Sequence, residues 1–292
     1  MTLKQYFEKG VPDPALTECF DNPDGRGLVT DVFIPDKSKR NGAAVVLVHG
    51  GGWKAGQRRD FLWHAHRLSL HGYVACTVDY RLTPAVSFPA PLTDCQTAVR
   101  WLRKNAGRFD VCSERIGAVG SSAGGHLVAC LGVFDHKEEV VSAKVNCVVA
   151  IHGIHDFLSI GECSDEAKAC CRALMGGSLS EKRDLWIAAS PALHVDGHSA
   201  PMLLVHDPRD ATASYCQSLL MANALIKACR PIQFLPSPGS GHGFIYDPGN
   251  DWTRKVWPIA VAWLDYHLLG MTGSCGCETG YLQSGSPASQ TP

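Results

Sequence analysis

The sequence predicts an α/β fold in which helices cover both faces of one mainly parallel sheet. Short apolar runs alternate with helical patterns along the chain, which is the order of elements that such a sheet requires. A chain of 292 residues with 45% hydrophobic content can form one large core. Strands are predicted near residues 28–34, 44–48, 73–79, 115–119, 145–151, 201–206 and 231–235. Helices are predicted near residues 60–71, 89–106, 123–133, 214–229 and 252–269.

A single domain is predicted over residues 1–270. The longest insertion between predicted strands, residues 153–190, is rich in charged and small residues and is expected to form part of a cap over the functional site. Residues 1–24 are expected to add to this cap. Residues 271–292 are rich in glycine, serine, proline and threonine, a composition that predicts a disordered tail.

A Gly-x-Ser-x-Gly run at Gly120–Gly124 follows the apolar strand pattern Ile116–Val119. A strand, this motif and a following helix together are typical of the sharp elbow that exposes a nucleophilic serine. Glycines at 120, 124 and 125 remove side chains that would block so tight a turn. Alone, the motif also fits an ordinary glycine and serine loop. Its context favours Ser122 as the nucleophile.

A second glycine-rich loop, His49–Trp53, follows the apolar run Ala43–Val48. Three consecutive glycines let the backbone bend so that free N–H groups point into a cleft and stabilise the negative oxygen of a tetrahedral intermediate. The alternative is a flexible turn. Because the loop is paired with the elbow at a suitable distance along the chain, we favour an oxyanion loop.

A serine hydroxyl needs a histidine to accept its proton, and with this elbow the partners follow in the order serine, acid, histidine. Of the 13 histidines, His242 and His267 follow the last predicted strands. His267 lies in a helical pattern, which favours a place on a helix surface. His242 lies in a glycine-flanked loop after the strand Ile232–Leu235, and such a loop can direct an imidazole at the elbow. His242 is therefore the predicted base.

The acid is expected directly after the preceding strand, Pro201–His206, where Asp207 and Asp210 both stand. Either carboxylate could accept the His242 N–H and stabilise the imidazolium. We favour Asp210, with Asp207 structuring the turn before Pro208.

With these residues assigned, the chain resembles the α/β-hydrolase superfamily over residues 20–270, and within it the feruloyl and acetyl esterase-like group called BD-FAE. Hormone-sensitive-lipase-like esterases are close relatives of that group. Besides the two glycine loops, the resemblance rests on three further segments, Val78–Leu82, Asp94–Leu102 and Ala189–Pro191. The chain departs from the usual patterns at Asp207, where relatives have glycine, and at Ser121, where hormone-sensitive-lipase-like enzymes usually have aspartate. The second departure favours the BD-FAE group.

The resemblance implies a role for each motif residue. Ser122 would be the nucleophile, Asp210 the acid and His242 the base. The backbone N–H groups of Gly51, Gly52 and Ala123 would form the oxyanion hole.

Three further side chains near these motifs could contact the substrate: Trp53, Phe88 and Arg81. Trp53, beside the oxyanion glycines, and Phe88 are predicted to line the acyl or alcohol pocket, with a place in the core as the alternative. The segment Asp79–Arg81 is expected to brace the His49 loop. Binding of an anionic group by Arg81 is the alternative.

The predicted function is hydrolysis of a small carboxylic ester through an acyl-enzyme. The resemblance suggests acetyl or feruloyl esters, whereas the residues themselves imply only attack on a carbonyl. An amidase such as an arylformamidase could use the same triad. A non-catalytic binding protein of this fold is a second alternative, disfavoured because all three triad positions are filled.

Composition excludes several partner classes. A net charge of −1 without a basic cluster argues against a nucleic-acid partner. The sequence contains no apolar run of about 18 residues, the length that would predict a membrane span. Residues 1–10 lack a signal-peptide pattern, which predicts a cytoplasmic location. Most of the 13 cysteines, including Cys76, Cys130 and Cys147, are expected to be reduced core residues.

Neither a cofactor nor a metal is predicted. The cysteines that could be pictured as a metal site show no C-x-x-C spacing: Cys163, Cys170, Cys171, Cys275 and Cys277. The only expected partner is a small ester substrate, and the sequence leaves the oligomeric state open.

Overall fold

Eight strands form the central sheet of a computed structural model that describes residues 11–135 and 140–270. In chain order, β1 to β8 span Leu16–Asp21, Leu28–Phe33, Ala44–Val48, Val74–Val78, Ile116–Ser121, Cys147–Ile151, Met202–His206 and Ile232–Pro236. Their spatial order is β1-β2-β4-β3-β5-β6-β7-β8. Strand β2 is antiparallel to β1 and β4, and the other neighbours are parallel. The carboxyl ends of the parallel strands therefore share one edge, where open α/β sheets place their sites.

Seven α-helices connect or follow these strands within the described residues. In chain order, α1 to α7 span Leu62–Leu70, Ala90–Lys104, Ala123–Val133, Asp165–Met175, Arg183–Ala188, Cys216–Lys227 and Asp251–Leu264. The turn Asp265–Leu269 continues α7. No helix in residues 11–135 or 140–270 is long and apolar enough to cross a membrane.

Two hydrophobic layers cover the two faces of the sheet. Successive side chains of β3 point to opposite faces, so that Val46 joins the layer containing Leu127 of α3, whereas Leu47 joins the layer containing Leu264 of α7. A strand buried on both faces must be apolar throughout, which explains the uninterrupted run Ala44–Val48. The two layers fix the strand ends, and with them the loops that carry the site.

The amino-terminal segment corrects the predicted architecture. Residues 1–24 were expected to form cap elements, but Leu16–Asp21 forms the edge strand β1, which pairs with β2. Its burial is partial, with Thr17 and Cys19 exposed and Phe20 buried, because an edge strand has one neighbour. A half-exposed strand has no continuous apolar run. Residues 1–10 and the predicted tail 271–292 lie outside the described residues.

Segment 153–190 contains the helices α4 and α5, which the sequence analysis did not place. Helix α4 begins at a serine cap, where Ser164 Oγ accepts the N–H of Ala167 at 3.1 Å. It ends at Gly176, whose φ of 61° lies in the left-handed region that favours glycine. Side chains of α4 reach the cavity described below.

Three cysteines of the predicted core, Cys76, Cys130 and Cys147, are buried free thiols. Burial raises the pKa of the Cys76 thiol to about 12. These thiols therefore pack as small apolar groups rather than as nucleophiles.

Candidate active site

Ser122 lies in the sharp turn between β5 and α3. Its φ of 56° and ψ of −120° are unfavourable for a residue with a side chain, as expected at a nucleophile elbow. The glycines on either side of Ser122 are required because a side chain would not fit. A Cβ on Gly124 would lie 2.0 Å from the carbonyl oxygen of Val48, and a Cβ on Gly120 would lie 2.3 Å from the carbonyl oxygen of Gly124. The Ser122 N–H donates to the carbonyl of Ile151 at 2.8 Å, which holds the turn against β6.

Three predicted side chains form a hydrogen-bonded chain at the carboxyl edge of the sheet. His242 Nε2 lies 2.9 Å from Ser122 Oγ, and His242 Nδ1 lies 2.7 Å from Asp210 Oδ2. The loop after β8 carries the histidine and the loop after β7 carries the carboxylate. His267 instead follows α7, where its ring contacts Trp263 at a centroid distance of 4.1 Å. The structure therefore brings His242 to the elbow.

Asp210 is held as a carboxylate by donors on both oxygens. Its Oδ1 accepts the backbone N–H groups of Thr212 and Ala213 at 2.8 and 3.1 Å, and the Nε2 atom of His206 lies 3.4 Å from Oδ2. Burial acts to raise the pKa of Asp210, but the hydrogen bonds from His206 and His242 hold it well below its ordinary value. The group is thus negative at neutral pH and suited to stabilise an imidazolium.

Asp207 serves the loop rather than the imidazole. Its Oδ1 accepts the N–H groups of Arg209 and Gly239 at 2.9 and 3.1 Å, and its Oδ2 accepts that of Gly241 at 2.8 Å. These bonds tie the end of β7 to the residue just before His242. Between the two aspartates left open by the sequence, Asp210 is the one that contacts His242.

The His49–Trp53 loop turns through three consecutive left-handed residues: φ is 106° at Gly51, 60° at Gly52 and 57° at Trp53. The N–H groups of Gly51, Gly52 and Ala123 have no protein acceptor within residues 11–135 and 140–270. All three residues border the same cavity as Ser122. They are therefore available to bind a developing oxyanion.

Two tyrosines fix this loop. Tyr80 Oη donates to the carbonyl of His49 at 3.1 Å, and the two rings stack at 4.3 Å, so Tyr80 provides the bracing expected of Asp79–Arg81. Tyr246 Oη accepts the N–H of Gly50 at 2.6 Å. Tyr246 was not predicted as a site residue, and its one signal in the sequence is its place four residues after His242. The Arg81 guanidinium pairs with Asp94 and Asp24 at 2.7 and 2.8 Å, which favours a structural role over anion binding.

A cavity of about 350 Å³ opens beside Ser122 and His242. Small and apolar groups dominate its wall, which comprises Gly51, Gly52, Trp53, Lys54, Ala55, Ser122, Ala123, Ile154, Glu166, Ala167, Cys170, Thr212, Ala213, His242 and Tyr246. Lys54 Nζ and Glu166 Oε1 form an ion pair at 3.1 Å that connects the glycine loop to α4. Beside Ser122 the wall thus offers mainly apolar contacts.

The two predicted substrate-binding aromatics differ in position. Trp53 borders the cavity, but its ring is buried and its Nε1–H donates to His126 Nδ1 at 3.2 Å. Phe88 is not among the residues that border the cavity, so this prediction was wrong. The Phe88 ring is buried, and its centroid lies 6.4 Å from that of His126. The Phe88 N–H donates to the carbonyl of Leu174 at 2.8 Å. Packing between α2 and α4 accounts for this aromatic residue.

A second histidine lies against His242. His152 directly follows β6, and its ring centroid lies 5.0 Å from that of His242. Burial lowers the pKa of His152, and the neighbouring His242 and His206 act in the same direction. Within residues 11–135 and 140–270, neither ring nitrogen has a hydrogen-bond partner. His152 was not predicted as a site residue, although its place directly after a predicted strand was a usable signal.

One group of potential metal ligands is found in the described part of the chain. A ring nitrogen of His152, one of His242 and a carboxylate oxygen of Asp210 lie within 4.8 Å of one another. Cys163, Cys170 and Cys171 belong to no such group there, and Cys275 and Cys277 lie outside the described residues.

The sheet order, the glycine elbow and the serine–histidine–aspartate arrangement define an α/β-hydrolase. Residues 30–225 match the BD-FAE family. The chain belongs to this family.

Several curated relatives are named esterases. Esterase LipC of Mycobacterium tuberculosis is 28% identical over 220 residues, which cover 72% of this chain and 55% of that protein. An arylesterase of Saccharolobus solfataricus is 38% identical over 159 residues, covering 51% of this chain and 50% of that protein. The chain thus spans about half the length of the curated relatives it matches.

Similar solved structures include those of esterase 2 from Thermogutta terrifontis. The native form superposes with a TM-score of 0.74 at 26% identity, covering 86% of this chain and 91% of that chain. The form phosphonylated by sarin gives a TM-score of 0.75 at 26% identity, covering 86% and 94%.

Proposed function

We propose that this protein is a serine carboxylesterase that hydrolyses small carboxylic esters through an acyl-enzyme. The observation that carries the proposal is the 2.9 Å distance from His242 Nε2 to Ser122 Oγ, beside three backbone N–H groups that have no acceptor among the described residues. This geometry is what nucleophilic attack on a carbonyl requires. The esterase names of the relatives support the same reaction class.

The reaction uses two proton transfers through one imidazole. His242 Nε2 accepts the Ser122 proton while Oγ attacks the ester carbonyl, and the new oxyanion accepts hydrogen bonds from Gly51, Gly52 and Ala123. His242 then gives its proton to the departing alkoxide oxygen as the bond from carbon to that oxygen breaks. Asp210 stabilises the intervening imidazolium.

Water completes the cycle. It loses a proton to His242 as its oxygen attacks the acyl carbon, and the second tetrahedral intermediate collapses when Ser122 regains that proton. Backbone donors of an oxyanion hole each contribute a factor of about 10² to 10³ in rate. These steps require only the chain's own groups and water.

We propose a short acyl chain as the preferred substrate feature. The cavity of about 350 Å³ is small, and its wall offers mainly glycine, alanine and other apolar groups beside Ser122. Acetyl esters fit this wall. The family name also suggests feruloyl esters, whose aromatic acyl group would have to extend toward the ion pair of Lys54 and Glu166.

The first experiment compares hydrolysis of p-nitrophenyl acetate, butyrate and decanoate by the wild-type protein, Ser122→Ala and Ser121→Ala. We expect the rate to fall with chain length and Ser122→Ala to lose at least about 10³-fold in kcat. Ser121→Ala is the matched control from the same elbow and should stay within about tenfold of the wild type. Activity that survives Ser122→Ala would overturn the mechanism.

An N-formyl aryl amide, tested in parallel, separates the esterase from an amidase on the same triad. The esterase proposal expects a much higher kcat/KM for the acetate ester than for the amide. The opposite ranking would favour an arylformamidase-like activity. Absence of turnover on both would favour a binding protein.

A further inference from the structure

Three potential ligands for a transition metal meet at the carboxyl edge of the sheet. A ring nitrogen of His152, one of His242 and a carboxylate oxygen of Asp210 lie within 4.8 Å of one another. Each comes from a different loop, after β6, β8 and β7. The cluster is thus produced by the tertiary fold and has no sequence motif.

His152 is the unexplained member of this group. Its side chain is fully buried, and neither ring nitrogen has a hydrogen-bond partner in the part of the chain that the structure describes. A buried polar group without a partner costs about 1–3 kcal/mol, so such a group calls for an explanation. The His152 ring lies against that of His242, whose Nδ1 and Nε2 are already bonded to Asp210 and Ser122.

We propose that His152, Asp210 and His242 bind Zn²⁺ and that the bound ion switches the hydrolase off. The inhibitory effect rests on the proposed esterase function, whereas the binding site does not. Two imidazoles and a carboxylate are ligands that Zn²⁺ accepts, and water can complete the tetrahedron. Because two of these ligands, His242 and Asp210, are the base and acid of the proposed triad, an ion bound here would inhibit the reaction.

The distances are compatible with a metal after small side-chain shifts. Zinc binds nitrogen and oxygen at about 2.0–2.2 Å, which places two ligands of one tetrahedron roughly 3.4 Å apart. The present spread of at most 4.8 Å must contract, while the 2.7 Å bond of His242 to Asp210 must open slightly. His242 borders the cavity, and its side chain is 20% exposed, which gives the ion a route.

Inhibition follows whichever nitrogen of His242 binds the ion. A metal on Nε2 occupies the lone pair that would accept the Ser122 proton. A metal on Nδ1 displaces the proton shared with Asp210, and that proton moves to Nε2, so the ring stays a neutral imidazole but Nε2 no longer has the lone pair that would accept the Ser122 proton. Either arrangement removes the general base.

Other unpartnered histidines do not offer such a site. The ring nitrogens of His64 also lack a hydrogen-bond partner among the described residues, but the aromatic rings of Phe61, Trp63 and Trp257 surround them. The same residues offer no partner to the ring nitrogens of buried His155. Neither belongs to a group of three ligands in residues 11–135 or 140–270.

The test measures inhibition of p-nitrophenyl acetate hydrolysis by ZnCl₂ in a buffer that does not chelate metals. We expect the wild-type protein to lose activity in the micromolar range and to recover it with EDTA. His152→Phe removes a ligand and should raise the half-inhibitory concentration at least about tenfold. His152→Asn serves as a second variant, because asparagine tolerates the positive φ of 41° at this position.

Cys170→Ser is the matched control, because this thiol lies in the cavity wall and zinc also binds thiolates. The proposal expects Cys170→Ser to leave the zinc inhibition unchanged. Inhibition lost in Cys170→Ser but kept in both His152 variants would overturn the site. So would an activity that millimolar Zn²⁺ leaves intact.

Calorimetric titration of ZnCl₂ into Ser122→Ala tests the site without any turnover. We expect one binding event that weakens at least about tenfold when either His152 substitution is added. This result would support the site even if no ester were hydrolysed, in which case only the proposed function would fail. Binding that is equal with and without the His152 substitution would refute the site while leaving the esterase untouched.

Discussion

The Tyr246 hydroxyl oxygen lies 2.6 Å from the backbone nitrogen of Gly50 and accepts its hydrogen bond. This contact joins the two loops on which the proposed reaction depends, because Gly50 begins the oxyanion loop and Tyr246 follows His242 by four residues. The Tyr246 ring is held edge-on by Phe61 at 5.4 Å. This hydrogen bond therefore helps to set the position of the oxyanion donors relative to the base, together with the contact of Tyr80 with His49.

Removing this hydroxyl should reduce turnover more than binding. In Tyr246→Phe the Gly50 N–H loses its acceptor, which costs about 1–3 kcal/mol when the group stays buried. We expect kcat for p-nitrophenyl acetate to fall about tenfold or more while KM changes by less than about twofold. Tyr266→Phe is the control, because Tyr266 is 56% exposed. An unchanged kcat in Tyr246→Phe would show that the bond does not position the loop.

The two aspartates after β7 should separate by function. Asp210→Asn removes the charge that contacts His242 and should lower kcat by about 10³- to 10⁴-fold, the size expected when the histidine loses its orienting carboxylate. Asp207→Asn retains an acceptor oxygen for the loop N–H groups and should lower kcat by no more than about tenfold. Steady-state kinetics of both variants decides the assignment. The reverse ranking would transfer the acid role to Asp207.

The elbow glycine Gly124 should be essential for packing. In Gly124→Ala the new Cβ would lie 2.0 Å from the Val48 carbonyl oxygen, so α3 and β3 must separate. We expect a loss of at least about 1–3 kcal/mol in the free energy of unfolding. A Cβ on Gly107 has no neighbour within 4 Å, so Gly107→Ala is the matched control and should be nearly neutral. Urea unfolding midpoints measure both, and equal midpoints would contradict the packing argument.

Buried His64 should make the protein sensitive to acid. Burial lowers its pKa to about 3, whereas the unfolded chain titrates near 6.5. Between these values the unfolded state binds more protons, so the free energy of unfolding decreases as the pH falls below about 6.5, by about 2 kcal/mol at pH 5 for this group. His64→Phe should lose about that much less stability than the wild type between pH 8 and pH 5. Urea unfolding of the wild type and His64→Phe at both pH values measures this difference. An equal loss of stability in the two proteins would contradict the role assigned to His64.

The sequence could predict site residues in the loops that follow the strands. Ser122 and the His49–Gly52 loop follow buried apolar strands, whereas His242 lies in a glycine-flanked loop after the half-exposed edge strand β8. The glycines beside these residues mark turns that other residues cannot adopt. The interior parallel strands were predicted well because burial on both faces requires continuous apolar runs.

What the sequence could not give depends on contacts between distant segments. Asp207 and Asp210 are equivalent in the sequence, and only the path of the loop decides which carboxylate reaches His242. Phe88 was misplaced because an aromatic residue near a motif packs equally well in a core. The edge strand Leu16–Asp21 was missed because it is half-exposed, and Tyr246 because its partner lies 196 residues away.

Ser122 is the proposed nucleophile, and a covalent label can identify it directly. The protein is treated with one equivalent of a fluorophosphonate, a reagent that phosphonylates activated serines, and its peptides are examined by mass spectrometry. We expect a single adduct on Ser122, loss of ester hydrolysis in proportion to labelling, and no adduct in His242→Ala. An adduct on another residue, or ester hydrolysis that persists after Ser122 is fully labelled, would refute this assignment.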